Sequence, residues 1–369
     1  MTDVTLRATK GSPLTHTEMD NNQVATRSGR KNMIIGGNFD TNPWQRGTSH
    51  TSVINGQYTA DRFLWETIGT AVVDHHKIAD SPSVAQAGFK ASHMLRITVT
   101  TADAAVAATD KYSVLYKMEG YDWAQVAQND FVISFWHKHT KTGTYCVAIA
   151  SQPAPDRSYV AEYTQSVSNT WEKATIKVTA SPSAGTWNYT NGVGIQIKFS
   201  MGTGTNFHTT ADAWNTGNFS STSSQVNALD STSNVCRFNL IQLEDGIVAT
   251  DFERRAVGEE LALCQRYYSE MVSGPNAQAI GMVYRAASNL AGVGLDVPQP
   301  MRAVPTVAQS GAFNIHGNGS VIALTGTIAT IQALNQHISF RKTATGIAAS
   351  NAYVIVPSTD DGFTFDAEL

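Results

Sequence analysis

The 369-residue chain has little charge and few cysteines for its length. Charged residues make up 15% of it, with 26 Lys and Arg against 30 Asp and Glu, which gives a net charge of −4. No basic run is present, so nucleic-acid binding through phosphate neutralisation has no electrostatic support. The three cysteines, Cys146, Cys236 and Cys264, are far apart and have no CxxC spacing. They predict buried free thiols, and neither a disulfide framework nor a cysteine metal site is indicated.

Long apolar runs are also missing. No stretch approaches the roughly twenty apolar residues of a membrane-spanning helix, and residues 1–15 contain no apolar segment of a secretory signal. We therefore expect no membrane insertion and folding in a cytoplasm. The sequence also lacks GxSxG, HExxH and P-loop motifs, and nothing in it calls for a cofactor. These absences favour a protein that is not an enzyme.

Short alternating segments dominate the chain instead. Residues 93–100, for example, place Leu95, Ile97 and Val99 on one face, which is the two-residue period of a half-buried strand. Further segments of this kind are residues 130–139, 144–151, 171–180, 192–201 and 234–244. Because no long helices separate them, we expect an all-β fold built on a jelly-roll-like antiparallel sandwich.

Four regions are expected along the chain. They are an N-terminal segment with a short helical head and linker (1–31), the sandwich (32–256), a connector helix (257–271) and a smaller C-terminal β domain (272–369). Thr15 and Glu18 form the capping-box pattern that predicts the helical head. All seven tryptophans precede the connector helix, and this shift in composition supports a boundary near residue 256.

The connector segment has a helical period. Its apolar side chains are spaced four, three, four and three residues apart, as in the seam of a coiled coil, at Val257, Leu261, Cys264, Tyr268 and Met271. Two heptads are marginal alone, so this seam must be buried against something. We expect burial at the threefold axis of a trimer, and the alternative is packing on its own chain.

Several segments resemble bacteriophage tail-fibre, or receptor-binding, proteins with a carbohydrate-binding-module-like jelly roll. Residues 10–22 (KGSPLTHTEMDNN) resemble their N-terminal segment. Residues 36–47 (GGNFDTNPWQRG) and 60–65 (ADRFLW) resemble the opening of the sandwich, residues 226–255 its closing strands, and residues 258–268 (GEELALCQRYY) the helix that follows.

The resemblance implies a structural virion protein, a homotrimer made in the host cytoplasm and carried in a tail appendage. Its N-terminus would bind the phage tail or other virion proteins, and its body would recognise bacterial surface polysaccharide or lipopolysaccharide during adsorption. Three alternatives remain: a capsid-attached fibre or decoration protein, a tail assembly connector, and a glycan depolymerase. The depolymerase is less favoured because the sequence shows no β-helix repeat.

Two loops combine aromatic and polar side chains in the way that sugar sites require. Residues 185–192 and 207–219 supply Trp187, Tyr189, Asp212 and Trp214 as the candidate glycan-binding residues. Pyranose rings stack on aromatic faces, and carboxylate, amide and hydroxyl groups bond their hydroxyls. The alternative is that these rings only pack the sandwich, as we expect for Trp44, Trp65 and Trp136. The C-terminal domain offers a rival receptor-binding tip at His316, Asn318 and Tyr353.

One weak metal motif is present. His137 and His139 form an HxH pair on a predicted strand, so both imidazoles point to one face and could share a metal ion. Phe131, Ile133 and Phe135 have the same parity, however. The favoured interpretation is therefore that the histidines end the core face and that no metal is bound.

Overall fold

The computed structural model describes Ser12, Pro13, Thr15 and residues 31–272, 280–287, 289–317, 320–333, 336–344, 347, 353–357 and 362–369. Its contacts divide the chain into two compact units, residues 1–260 with Leu369 (unit 1) and Leu261–Glu368 (unit 2). The predicted attachment segment, residues 1–31, lies outside the described residues except for Ser12, Pro13, Thr15 and Lys31.

Unit 1 is an antiparallel sandwich. Its strands are β1 (Ser49–His50), β2 (Phe63–Ile68), β3 (Val72–Ile78), β4 (Met94–Thr101), β5 (Lys111–Glu119), β6 (Phe131–His137), β7 (Gly143–Ser151), β8 (Arg157–Gln165), β9 (Glu172–Val178), β10 (Val193–Thr203), β11 (Trp214–Thr216) and β12 (Val235–Asp245). They form two six-stranded sheets, with orders β1-β3-β4-β12-β6-β9 (sheet I) and β11-β8-β7-β10-β5-β2 (sheet II). The chain crosses repeatedly between the sheets, which confirms the predicted jelly-roll-like sandwich.

Short helical turns lie between these strands. They are α1 (Val84–Ala87), α2 (Gly120–Trp123) and a 3₁₀ turn (Thr205–Phe207), and α3 (Val257–Gln265) follows the last strand. Among the described residues, no helix has the length and apolar character needed to cross a membrane.

Burial follows the strand period where one face meets solvent. In the edge strand β9, Ala174, Ile176 and Val178 are buried while the residues between them are more exposed. The central strand β6 is buried on both faces. Its outward Trp136 joins a second apolar cluster, outside the sandwich, together with Ala91, Met94, Trp171 and Leu240.

A β-bulge in β12 lets this one strand serve both clusters. The register with β6 shifts between Asn239 and Gln242, and Leu240 takes a left-handed φ of 51°. Phe238 and Ile241 therefore both face the sandwich core, three residues apart, while Leu240 points to the outer cluster. The bulge is a conformational device that strict alternation does not predict.

Ion pairs and hydrogen bonds of charged side chains connect the first and last segments of the sandwich. The Arg255 guanidinium donates to the Ile34 carbonyl at 3.0 Å and pairs with Glu260 at 3.4 Å. Glu260, whose side chain is 5% exposed, also accepts from the Gly36 amide at 2.5 Å. Glu253 accepts from the amide of Asn32 at 2.8 Å. Residues 32–36 are thus fixed against residues 253–260.

The predicted fifteen-residue helix, residues 257–271, is wrong at its C-terminal end. Helix α3 ends at Gln265, and Tyr268 and Met271 lie in strand β13 (Tyr268–Val272). Strand pairing supplies their backbone hydrogen bonds, and residues three apart in a strand face opposite ways. The predicted trimer seam is therefore not one helical face: Val257 is 65% exposed, Leu261 is half-buried and Cys264 is buried.

Unit 2 contains a barrel and a small sheet. Its further strands are β14 (Gly281–Ala287), β15 (Leu290–Asp296), β16 (Thr306–Gln309), β17 (Phe313–Gly317), β18 (Ser320–Ala333), β19 (His337–Thr343), β20 (Tyr353–Pro357) and β21 (Gly362–Asp366). Strands β14-β15-β19-β18-β17-β20 close the barrel, and β13-β21-β16 form the three-stranded sheet.

The structure places one residue of the rival tip, Tyr353, in the core of unit 2. Tyr353 is 3% exposed and belongs to the core of unit 2, and His316 is half-buried on β17. Asn318 lies outside the described residues.

Burial of His75 predicts acid sensitivity of unit 1. The imidazole is fully buried beside Trp65, with Nδ1 3.0 Å from the Thr59 hydroxyl oxygen. Burial, with smaller contributions from His50 and His76, lowers the pKa of His75 from 6.5 to about 3. Below pH 6.5 the unfolded chain therefore binds a proton at His75 that the folded chain does not bind. The stability of unit 1 decreases as the pH decreases through this range.

At pH 5 this effect amounts to about 2 kcal/mol for His75. Between pH 7.5 and pH 5 the free energy of unfolding should decrease in both proteins. We expect the decrease to be about 2 kcal/mol smaller in His75→Gln than in the unaltered chain. The measurement is urea unfolding at both pH values, followed by tryptophan fluorescence, because all seven tryptophans lie in unit 1. Equal losses in both proteins would contradict the assignment.

Candidate functional site

Two of the predicted sugar-binding tryptophans meet in unit 1. The rings of Trp187 and Trp214 lie 5.6 Å apart at an interplanar angle of 80°. Trp187 stacks on Trp123 at 5.4 Å, and Trp214 contacts the edge of Tyr159 at 5.6 Å. Trp123 and Tyr159 are buried, whereas Trp187 and Trp214 are half-buried. We call these four residues the aromatic corner; in it, the sandwich core continues to the surface.

Both surface rings are held by their indole nitrogens. Trp187 Nε1 donates to the Ala184 carbonyl at 3.3 Å, and Trp214 Nε1 donates to the Thr179 carbonyl at 2.8 Å. Trp214 also lies in β11, directly opposite Tyr159 of β8. The rings are thus oriented before any ligand arrives, which reduces the entropy lost on binding.

Asp156, which the sequence analysis missed, connects the two loops of the corner. Its carboxylate accepts from the Thr186 amide at 3.0 Å, the Thr186 hydroxyl at 2.8 Å and the Ser151 hydroxyl at 3.0 Å. Its backbone carbonyl accepts from the Gly217 amide at 2.9 Å. The hydrogen bonds from Thr186 contribute most to lowering the pKa of Asp156, so the carboxyl stays ionised.

Tyr189 and Asp212 reach the surface on the same loops without joining the ring contacts. Tyr189 is 38% exposed and follows Trp187 by two residues. Asp212 is exposed, has a left-handed φ of 59° and donates its amide to the Val160 carbonyl at 2.7 Å. Its charge adds to burial in raising the pKa of Tyr159. A carboxylate and a phenol are therefore available on the loops that carry the tryptophans.

The loop before β12 packs on the outer face of sheet II. Phe219 packs on Cys146, Ala148 and Val160, which face outward from the sandwich. Asn218 accepts from the ammonium group of Lys198 at 3.0 Å. Burial lowers the pKa of this lysine, which is only 1% exposed. The segment 217–225 is thus part of the fold.

The HxH pair lies inside the sandwich. His137 Nδ1 is 2.9 Å from Gln165 Oε1, and His139 Nε2 is 3.2 Å from the Tyr163 hydroxyl oxygen. Burial lowers the pKa of both histidines, and in His139 the nearby charges of His137 and Arg237 add to the effect. Within the described residues, no group of three or more His, Cys, Asp or Glu side chains could hold a metal ion. Both histidines end the core face, as the parity of the strand indicated.

The cysteines and the remaining tryptophans also serve packing. All three cysteines are free and buried, as predicted. Burial raises the pKa of Cys146 to about 11 and that of Cys236 to about 12, so both thiols are protonated at neutral pH. Trp44 and Trp65 lie in the sandwich core, as predicted, whereas the prediction is wrong for Trp136, which is buried in the outer cluster because it points away from the sandwich.

Comparison with known proteins finds likeness in structure but not in sequence. No family model matches the chain, and no curated protein matches it. The enzymatically active domain of tailspike protein 4 from bacteriophage CBA120 is 11% identical over 58% of this chain, with a TM-score of 0.30. The match spans about a fifth (21%) of that tailspike chain.

Two sugar-binding modules resemble this chain with similar identities, coverages and TM-scores. A family 11 carbohydrate-binding module from Clostridium thermocellum is 12% identical over 54% of this chain and 96% of its own, with a TM-score of 0.29. TmCBM61, solved in complex with β-1,4-galactotriose, is 9% identical over 59% of this chain and 100% of its own, with a TM-score of 0.28.

Removing the Asp156 carboxylate tests whether it orders the corner. We expect Asp156→Ala to weaken the near-ultraviolet circular dichroism of the tryptophans, because the Trp187 loop loses its hydrogen-bonding partner. The far-ultraviolet spectrum should be unchanged, and Asp156→Asn should give an intermediate signal. Asp245→Ala, which removes an exposed carboxylate at the end of β12, is the matched control. Identical near-ultraviolet spectra for Asp156→Ala and the control would contradict the role.

Proposed function

We propose that this chain is a structural virion protein, a phage tail fibre whose sandwich binds host surface glycan at the aromatic corner during adsorption. The observation that carries the proposal is the meeting of Trp187 and Trp214, 5.6 Å apart and half-buried, on two separate loops. Their rings offer the apolar surface on which a pyranose stacks. Tyr189 and Asp212 offer hydrogen-bonding groups for its hydroxyls.

The mechanism is reversible binding to a rigid platform. The indole N–H groups are already bonded to backbone carbonyls, so the rings lose little freedom when a sugar binds. A single site of this kind binds weakly, and a homotrimer gains avidity by engaging one polysaccharide or lipopolysaccharide surface with three chains. No step in this mechanism breaks a covalent bond, so we propose a binding protein and not an enzyme.

The virion role is supported by the segments that resemble fibre proteins. Residues 36–47 and 60–65 build the entry to the sandwich, where Asn42 donates to the carbonyls of Gly36 and Asp61, both at 3.0 Å. Residues 226–255 supply β12 and the Arg255 ion pair. In this proposal residues 1–31 attach the chain to the tail or to another virion protein. A capsid-attached decoration protein or a tail assembly connector is the alternative.

Removal of both surface tryptophans tests the sugar site. We expect the double variant Trp187→Ala/Trp214→Ala to bind glycan at least about tenfold more weakly, since each ring contributes about 1 kcal/mol by stacking. Binding is measured by calorimetry with host polysaccharide, lipopolysaccharide and neutral oligosaccharides such as β-1,4-galactotriose. Ile54→Ala, which truncates an exposed apolar side chain on another loop, is the control. Undiminished binding by the double variant would contradict a site at the corner.

The mass in solution tests the proposed trimer. Light scattering on a sizing column should give three times the chain mass of 39.7 kDa.

Affinity capture of virion components with residues 1–31 should then recover tail proteins. A monomer would contradict the trimeric fibre, and capture of capsid proteins would favour the decoration protein.

A further inference from the structure

Unit 2 carries a groove of its own, about 770 Å³ in volume, on the outer face of the barrel. Residues of β14, β15 and β19 line most of it, together with Met271 of β13 and Ile280. We propose that this groove is a second glycan site, which takes a short neutral oligosaccharide. Its volume falls within the range of about 300–1,000 Å³ that is usual for small-ligand sites.

Glycine makes the floor of the groove. Gly294 of β15 lines the groove and lies between the core residues Val293 and Leu295, whereas Gly292 does not line it. A Cβ atom at Gly292 would lie 2.2 Å from Cζ of Tyr284, so this ring covers its cross-strand partner. A Cβ atom at Gly294 would meet only His337, at 3.5 Å. Gly294 therefore leaves the space that a ligand needs.

The two walls differ in chemistry. On one side are Tyr284, 50% exposed, and Met282, 72% exposed, which together present apolar surface next to the floor. On the other side are His337 and Ser339 of β19, with Asp296 at the end of β15. A pyranose has the same two aspects, an apolar face of C–H groups and a rim of hydroxyls.

The polar wall is oriented for hydrogen bonding. Asp296 Oδ1 lies 2.6 Å from His337 Nδ1, which fixes the imidazole ring. The other nitrogen, Nε2, lies 3.8 Å from the position of a Cβ atom at Gly294, so it is directed over the floor. The described lining residues include no Lys or Arg, and His337 is paired with Asp296. The groove therefore has no excess of positive charge with which to select an acidic sugar.

The groove and the aromatic corner belong to different compact units, so each can be removed without the other. The test uses the full chain with Trp187→Ala/Trp214→Ala, titrated with maltotriose, cellotriose and β-1,4-galactotriose up to about 10 mM, the range of weak sugar contacts. Binding is followed by saturation-transfer NMR. We expect at least one of these sugars to bind, and Tyr284→Ala or Gly294→Val to weaken that binding at least tenfold.

Gly294→Val fills the floor and leaves every polar group in place. Valine suits a strand, and His337→Ala provides a further variant at an exposed position if Gly294→Val does not fold. Val321→Ala, which truncates a side chain 64% exposed on β18, is the matched control and should bind normally.

The outcomes separate the two sites. Sugar binding by the tryptophan double variant that is lost in the groove variants supports the second site. If the unaltered chain binds sugar and the tryptophan double variant does not, the whole interaction lies at the aromatic corner, and the proposed groove site is wrong. Absence of binding by the double variant to all three sugars, or binding unaffected by the groove variants, also overturns it.

Discussion

Packing of aromatic side chains between the two sheets is the constraint on which unit 1 depends. Trp65, Phe135 and Tyr145 are fully buried there, and their size sets the separation of the sheets. Trp123 belongs to the same core, and its ring stacks on that of Trp187 at the surface. The aromatic corner is therefore the exposed end of the core, and packing on the core keeps its rings rigid.

Charged groups with long-range hydrogen bonds then decide the path of the connecting segments. Asp156 holds the loops that carry Trp187 and Trp214, and Arg255 with Glu260 fixes the start of the sandwich against its end. The side chains of Arg255 and Glu260 are nearly buried, whereas Asp156 lies nearer the surface, and all three bond to groups far away in the chain. Such groups add specificity because only one arrangement of the loops satisfies them.

The fold could be predicted from the sequence because alternation in a strand is a local property. The jelly-roll class and the inward parity of His137 and His139 both followed from it. The end of α3 could not be predicted in this way, since Tyr268 pairs with Asp366, almost a hundred residues later, at a register that no local pattern encodes.

The candidate site was predictable only in part, because some of its contacts join residues that are distant in the sequence. Trp187 and Trp214 were indicated by their residue type and by the loops around them, and the structure brings their rings together. Asp156 gave no signal because its partners, Thr186 and Gly217, are close to it only in the folded chain. Residue type also leaves the burial of Ser220, Ser221 and Thr222 open, because Ser and Thr suit a buried polar layer as well as a surface.

The most direct test is NMR of the indole N–H groups of the full chain during titration with host polysaccharide fragments. The account predicts that the signals of Trp187 and Trp214 shift in a saturable way, while those of the buried Trp44, Trp65 and Trp136 do not. Saturable binding that leaves the Trp187 and Trp214 signals unmoved would contradict a glycan site at the aromatic corner.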